Sequence, residues 1–288
     1  MQMDEYKTAN GMGIHARRFL SYVVLVIISI LCLFWFYVLF VNATRSHGDL
    51  TTRGFRAIPS TNLIENWKNL MAGTQPVVRG LLNSLIVASL TAALSTYFST
   101  VTAYAIHVYR FPGRKFISSF ILAIMMIPTQ VSALGFVDLM RTMKLNNTFV
   151  PLIVPAIAAP AVFFYMKQYL QSALPLSIVE ASRIDGASEF RTFNEIVLPI
   201  VKPAIAVQAI FSFVTSWNNY FTPALILEKD KVKTLPILIA GLRSADFLKF
   251  DMGQVYIMIA FSILPVIVVY LILSKYIVEG IALGSVKG

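Results

Sequence analysis

Within nine positions the chain places Ser212, Thr215, Ser216, Trp217, Asn218, Asn219 and Tyr220, with Pro223 close behind. Two amides beside an indole and a phenol form a plausible sugar-binding set: amides bond hydroxyls, and aromatic faces stack on the apolar side of a sugar ring. The set sits in a stretch without charge, where amides are costly unless they pair or face a watery cavity. Two readings follow. Either Asn218 and Asn219 line a solute path beside Trp217 and Tyr220, or the amides bond across helices while the aromatics occupy an interfacial belt. A second polar break, Met125-Met126-Ile127-Pro128-Thr129-Gln130, joins a proline to an amide expected to be buried. Broken helices of this kind build midplane sites in transporters, and a simple proline kink is the other reading.

Residues 175–203 carry a different kind of signal. Pro175 suits the first turn of a helix and Gly186 its C-terminal cap, so residues 176–185 should make about three turns. Ser188 can cap a second short helix expected to stop before Pro199. On the first helix, Ile178, Ala181, Ser182 and Asp185 share one face by their spacing. The small Ala181 and Ser182 allow another surface to come close, as when a short helix seats in a partner's groove. The plainer reading is a solvated loop helix, with Arg183 and Asp185 as ordinary surface charges. Enzymatic chemistry is not indicated. No Gly-x-x-x-x-Gly-Lys-Ser/Thr loop and no His-Glu-x-x-His occurs, and the three histidines, His15, His47 and His107, have no partners in sequence.

The elements that must hold these residues are set by where charge is absent. Of 288 residues, 57% are hydrophobic and 13% charged, against about 25% charged in soluble domains. Windows 19–44, 80–109, 116–137, 145–166, 203–227 and 252–274 contain no Asp, Glu, Lys or Arg. Each is long enough for the roughly 20 residues that cross about 30 Å of hydrocarbon. The fold expected is all-α, a polytopic membrane protein with six transmembrane helices forming one domain, residues 1–288. A soluble enzyme and a basic nucleic-acid binder are excluded, as is a disulfide scaffold, since Cys32 is the only cysteine. Residues 63–71, with apolar positions at helical spacing, should form an amphipathic helix at the membrane surface. The net charge of +10 does not orient the protein, because Lys and Arg divide twelve and twelve between the two sides.

The run Glu180-Ala181-Ser182-Arg183-Ile184-Asp185-Gly186-Ala187, followed after the matching gap by Ile196-Val197-Leu198-Pro199, resembles the EAA loop of ATP-binding-cassette importer permeases. Ser182 replaces the pattern's second Ala and keeps a small side chain. Leu82-Asn83-Ser84-Leu85, Phe111-Pro112-Gly113-Arg114 and Ser216-Trp217-Asn218-Asn219 resemble its carbohydrate branch, in particular the smaller maltose-type subunit. The resemblance implies a cytoplasmic coupling loop over 176–199, in which Glu180, Ala181, Ser182, Asp185 and Gly186 meet an ATPase. It also implies both termini in the cytoplasm and residence in the inner membrane of a bacterium or archaeon. The implied partners are a second six-span permease in a heterodimer, two ATPase subunits and an extracytoplasmic sugar-binding protein. ATP and Mg would be held by the ATPases, and no cofactor or metal by this chain. On the same basis a di- or oligosaccharide would pass along Gln130, Trp217, Asn218, Asn219 and Tyr220. The 228–251 segment would face the binding protein, and Gly280–Gly288 would touch the ATPase. The alternatives are an importer for another solute, such as a polyamine, and a secondary transporter. The latter would want an ionisable coupling residue inside a span.

Overall fold

The computed structural model describes residues 2–243 and 250–285, with side chains described for 14–243 and 250–276. Among these residues every regular element is helical. The chain opens with α1 (Gln2–Ala43), followed by the short α2 (His47–Thr52), α3 (Leu63–Ala72) and the long α4 (Val77–Val108). Next come α5 (Arg114–Ile124), α6 (Thr129–Thr142), α7 (Val150–Ile153) and, after one 3-10 turn, α8 (Pro160–Ala173). Then follow α9 (Leu176–Ile184), α10 (Glu189–Arg191), α11 (Leu198–Trp217), α12 (Phe221–Ile226), α13 (Leu235–Arg243) and α14 (Met252–Ser285).

Among the described residues, five helices are long and apolar enough to cross a membrane, and six crossings result if the bent pair α5 and α6 counts as one. That pair turns by 95° at its break. At about 1.5 Å per residue, its 11 and 14 residues reach roughly 17 and 21 Å, so neither half crosses 30 Å alone. The break is more than a kink. Met125, Met126 and Ile127 close the first helix with tight i to i+3 bonds, and Pro128, which offers no N–H, leaves the helix with ψ of 129°. Gln130, expected to be buried, is exposed in this chain because the break swings it onto the outer surface of α6.

Two compact units emerge from the packing. One holds the chain up to Ala72 and the start of α14 as far as Phe261; the other holds Gly73 to the end of α13, and α14 from Ser262. In the first unit, Asn66 of α3 is buried and donates to the carbonyls of Ala43 and Arg45, each at 2.9 Å. Leu70 is buried too, whereas Leu63, Ile64 and Met71 are exposed. The face of α3 that turns inward is thus centred on an asparagine, not on the apolar positions alone.

In the second unit, α4 is the central post, contacted by α7, α8, α11 and α13. Its first half presents Gly80, Asn83 and Ser84 to the stretch before α13. Asn83 donates to the Lys231 and Lys233 carbonyls at 3.1 and 2.9 Å, and Ser84 Oγ accepts from the Leu235 N–H at 2.8 Å. A Cβ on Gly80 would lie 2.3 Å from Leu238 Cδ1, so glycine there is what lets α13 approach. The last half of α4 joins α8, α9 and α11 in one buried cluster of Ala103, Tyr104, Phe163, Met166, Val179, Phe193 and others.

Candidate functional site

Two features of the second unit stand out, a cavity and an exposed helical corner. The first is a cavity of about 630 Å³ between α4, α7, α8 and α11. Thr91 and Ser95 reach it from α4, Tyr165 from α8, and Gln208, Ser212, Thr215 and Ser216 from α11, with Asn219 just beyond. Small residues, Ala156, Ala159 and Ala161, leave the room, and Phe211 gives an aromatic wall. Every polar group lining it is a hydroxyl or an amide, and no lining residue is charged. Its volume lies within the range of small-molecule sites, about 300–1,000 Å³. Such a wall can exchange hydrogen bonds with a neutral polyol, but it offers a phosphate or carboxylate no cation.

Of the five residues expected along the solute path, Asn219 joins this wall, together with Ser212, Thr215 and Ser216 of the same polar run. Trp217 is buried and stacked on Phe213, ring centroids 5.6 Å apart, which makes it a packing residue of α11. Asn218 and Tyr220, just after α11, are exposed and do not line the cavity, and Gln130 lies on α6. Tyr165 and Gln208 escaped notice. The signal for Gln208 was present, since it is an amide inside the 203–227 window, but Tyr165 is one of twelve tyrosines and nothing in its neighbourhood sets it apart.

The second feature is α9 and the corner that follows it. Pro175 is extended and starts the helix, and Gly186 ends it at φ +77°, the left-handed conformation that glycine adopts without strain. The Ala187 N–H bonds to the Ser182 carbonyl at 3.0 Å and the Gly186 N–H to that of Arg183 at 3.1 Å, the paired bonds of a Schellman cap. Ser188 Oγ then accepts from the Arg191 N–H at 3.3 Å and opens α10.

Two expectations are corrected here. The second helix does not stop before Pro199. Residues 192–197 form a π turn, in which the Leu198 N–H reaches the Phe193 carbonyl, and the wider turn lets the chain run through Pro199 into α11. Nor does Ser182 share an outward face with Ala181. It is buried, its Oγ lying 2.7 Å from Thr192 Oγ1, because Val179 and Ser182 are the positions that meet the π turn and the cluster behind it. The outward face holds Ser177, Glu180, Ala181 and Ile184, with Asp185 and Gly186 exposed at its end. Ile184 is 86% exposed and Phe190, across the corner, 75%. Two bare apolar side chains flanking Glu180 and Ala181 make a small docking surface.

This surface is fixed to the span ends by charge as well as by packing. Arg183 Nε donates to Glu189 Oε1 at 2.7 Å, while the hydroxyls of Tyr109 and Tyr104 donate to Oε2. The Arg183 guanidinium also lies 5.4 Å from the Tyr109 ring centre. The bond from Arg183 holds the Glu189 carboxyl below the usual glutamate range, helped by that from Tyr109. Lys167 of α8 donates to Ser118 of α5 at 2.7 Å at the same end. The α9 corner is thus tied to α4 by hydrogen bonds and to α8 by shared packing.

Residues 95–282 match the family model described as binding-protein-dependent transport system inner membrane component. The chain is 31% identical over 266 residues to the arabinooligosaccharides transport system permease protein AraQ of Bacillus subtilis (strain 168), covering 91% of this chain and 92% of that protein. It is 30% identical over 267 residues to the sn-glycerol-3-phosphate transport system permease protein UgpE of Escherichia coli (strain K12), covering 91% and 94%. A chain of a bacterial ABC transporter involved in the import of the acidic polysaccharide alginate shares the fold, with a TM-score of 0.76 at 21% identity over 90% of this chain and 95% of that one.

Proposed function

Because this chain belongs to the binding-protein-dependent transport system inner membrane components, and so is a permease subunit of an ABC importer, we propose that its cargo is a neutral di- or oligosaccharide. The observation that carries this reading is the uncharged, hydroxyl- and amide-lined cavity of about 630 Å³. Relatives include permeases for an arabinooligosaccharide and for a phosphorylated glycerol. A phosphate crossing low-dielectric surroundings needs a cation to pair with it, and this wall supplies only neutral donors and acceptors. Tyr165 and Phe211 offer faces for the apolar side of a sugar ring, while Gln208, Asn219 and the hydroxyls take its hydroxyl groups.

A permease of this class works with a second permease, an ATPase and a binding protein. In the arrangement proposed, the second permease is a different six-span chain, and two ATPase subunits bind the ATP and Mg. The exposed face of α9, with Glu180, Ala181, Ile184 and Phe190, seats in the ATPase, while Ser182 and Gly186 hold its shape. Both termini then lie in the cytoplasm, and the α13 side faces the binding protein. The part of the 228–251 segment at residues 244–249 and the side chains of the Gly280–Gly288 tail lie outside the described residues. Closure of the ATPases on ATP is passed through α9 as a rigid body to α4, α8 and α11, which surround the cavity.

The test is uptake into proteoliposomes holding the complete transporter. Gln208→Leu removes one hydrogen bond of about 1 kcal/mol, roughly a fivefold loss of transport for a neutral oligosaccharide, with assembly and basal ATP hydrolysis unchanged. Glycerol phosphate should not be carried. Undiminished sugar uptake by Gln208→Leu together with Tyr165→Ala, or transport of the phosphorylated solute, would refute the reading.

A further inference from the structure

The segment after the first span folds back along it. Phe55 meets Phe34 with ring centroids 6.0 Å apart, and the Tyr37 hydroxyl donates to the Ala57 carbonyl. The turn that allows this is tied by Arg45, 1% exposed, whose guanidinium donates to Asp49 Oδ2 at 2.6 Å, the Asp49 carbonyl at 2.9 Å and the Gly54 carbonyl at 2.7 Å. Arg45 thus answers the single carboxylate of this segment.

Arg53 and Arg56 stand differently. They are 67% and 53% exposed, and their NH1 atoms lie 3.6 and 3.8 Å from Asp49 Oδ1, beyond hydrogen-bond distance. That oxygen is buried and has no hydrogen-bond partner. A hollow of about 350 Å³ opens between the two guanidinium groups, Asp49 and the hydroxyl residues Ser46, Thr52 and Ser60. On either side Phe55 and Ile58 are exposed, as is Trp35 on the span itself.

The depth of this hollow follows from helix geometry. The charge-free stretch 19–44 has 26 residues, about 39 Å of helix against about 30 Å of hydrocarbon. The excess of about 9 Å places one or both ends of the stretch in the headgroup layers. Phe34 and Tyr37, which Phe55 and Ala57 meet, lie in the second half of that stretch, so Arg53 and Arg56 stand near one end of the span.

We propose that this hollow binds the headgroup of a phosphodiester lipid, with Arg53 and Arg56 on the phosphate and the acyl chains lying along Phe55, Ile58 and Trp35. Guanidinium groups match phosphate in a bidentate geometry. Three arginines around one carboxylate favour an anionic headgroup. The flanking apolar side chains select a lipid over a free phosphate.

The experiment is native mass spectrometry of the assembled transporter in mild detergent, titrated with phosphatidylglycerol or phosphatidylcholine. At about 1 kcal/mol per interfacial arginine, the R53Q/R56Q double variant should hold phosphatidylglycerol about 30-fold more weakly. Phosphatidylcholine should change little, and millimolar inorganic phosphate should not displace the bound lipid. Arg53 and Arg56 are exposed, so the melting temperature should stay at the wild-type value. Should the double variant fail to fold, R53K/R56K keeps the charge and removes only the bidentate geometry, and it should lose part of the affinity. Equal phosphatidylglycerol affinity in wild type and variant overturns the proposal. So does displacement by inorganic phosphate, which would mark a soluble-anion site, or loss of the second permease at unchanged lipid binding, which would mark a protein contact.

Discussion

Replacing Ser182 by Ala would make this chain match the Glu-Ala-Ala pattern it resembles, yet here the change should loosen the loop. Ser182 Oγ and Thr192 Oγ1 are both buried, 2.7 Å apart, and each is the other's side-chain partner between α9 and the π turn. Deleting one hydroxyl leaves the other unsatisfied in a dry site, which costs about 1–3 kcal/mol, whereas replacing both by apolar groups of similar shape is nearly neutral. Ser182→Ala and Thr192→Val alone should each raise the local opening of α9 by about 2 kcal/mol, or some 30-fold in the open population. The double variant should return close to wild type. Hydrogen exchange of peptides covering 176–191 in the assembled transporter reads that opening directly. Exchange at the wild-type rate in both single variants would refute the reasoning, as would a double variant no slower than the worse single one.

Gly186 has no neighbour within 4 Å of an added Cβ, so its requirement is conformational: Gly186→Ala should weaken ATP-coupled uptake through about 1–2 kcal/mol of left-handed strain, and Gly186→Asn should be milder. If Asn is more damaging than Ala, close approach by the partner rather than φ governs the site. Glu189 has its folded pKa depressed by Arg183 and Tyr109. It therefore supports the α9 corner fully above the ordinary glutamate value, and that support is lost as pH falls through the lower folded value. An infrared titration of its carboxyl band, taken as wild type minus Glu189→Gln, should find a midpoint below the ordinary range; a midpoint at or above it contradicts the assignment.

Much of this architecture is visible in residue types, for physical reasons. Charge is costly in hydrocarbon, so the six charge-free windows mark the spans, and Pro175, Gly186 and Ser188 bracket α9 because their backbone preferences act locally. What failed was direction. Ala181 and Ser182 are adjacent small residues about 100° apart on a helix, and only the position of Thr192, brought round by a π turn, decides which of them faces inward. The π turn itself left no sign, and Pro199 read as a stop where the structure carries the helix through it. The cavity draws on α4, α7, α8 and α11, so residues far apart in sequence, such as Tyr165 and Gln208, meet only in the fold. Trp217 drew attention for its chemistry, and the stack on Phe213 assigns it to packing.

In the function proposed, the exposed face of α9 seats in the ATPase and drives sugar through the cavity. Ile184 and Phe190 are exposed and support nothing within the chain's own core, so Ile184→Asp with Phe190→Asp changes that face alone. The decisive measurement is ATP-dependent uptake of a labelled neutral oligosaccharide by the reconstituted transporter, with the ATPase retained on the purified permease pair measured alongside. The double variant should fold, insert and pair with its partner permease but lose both the ATPase and the uptake. Uptake at the wild-type rate with the ATPase still bound would contradict it.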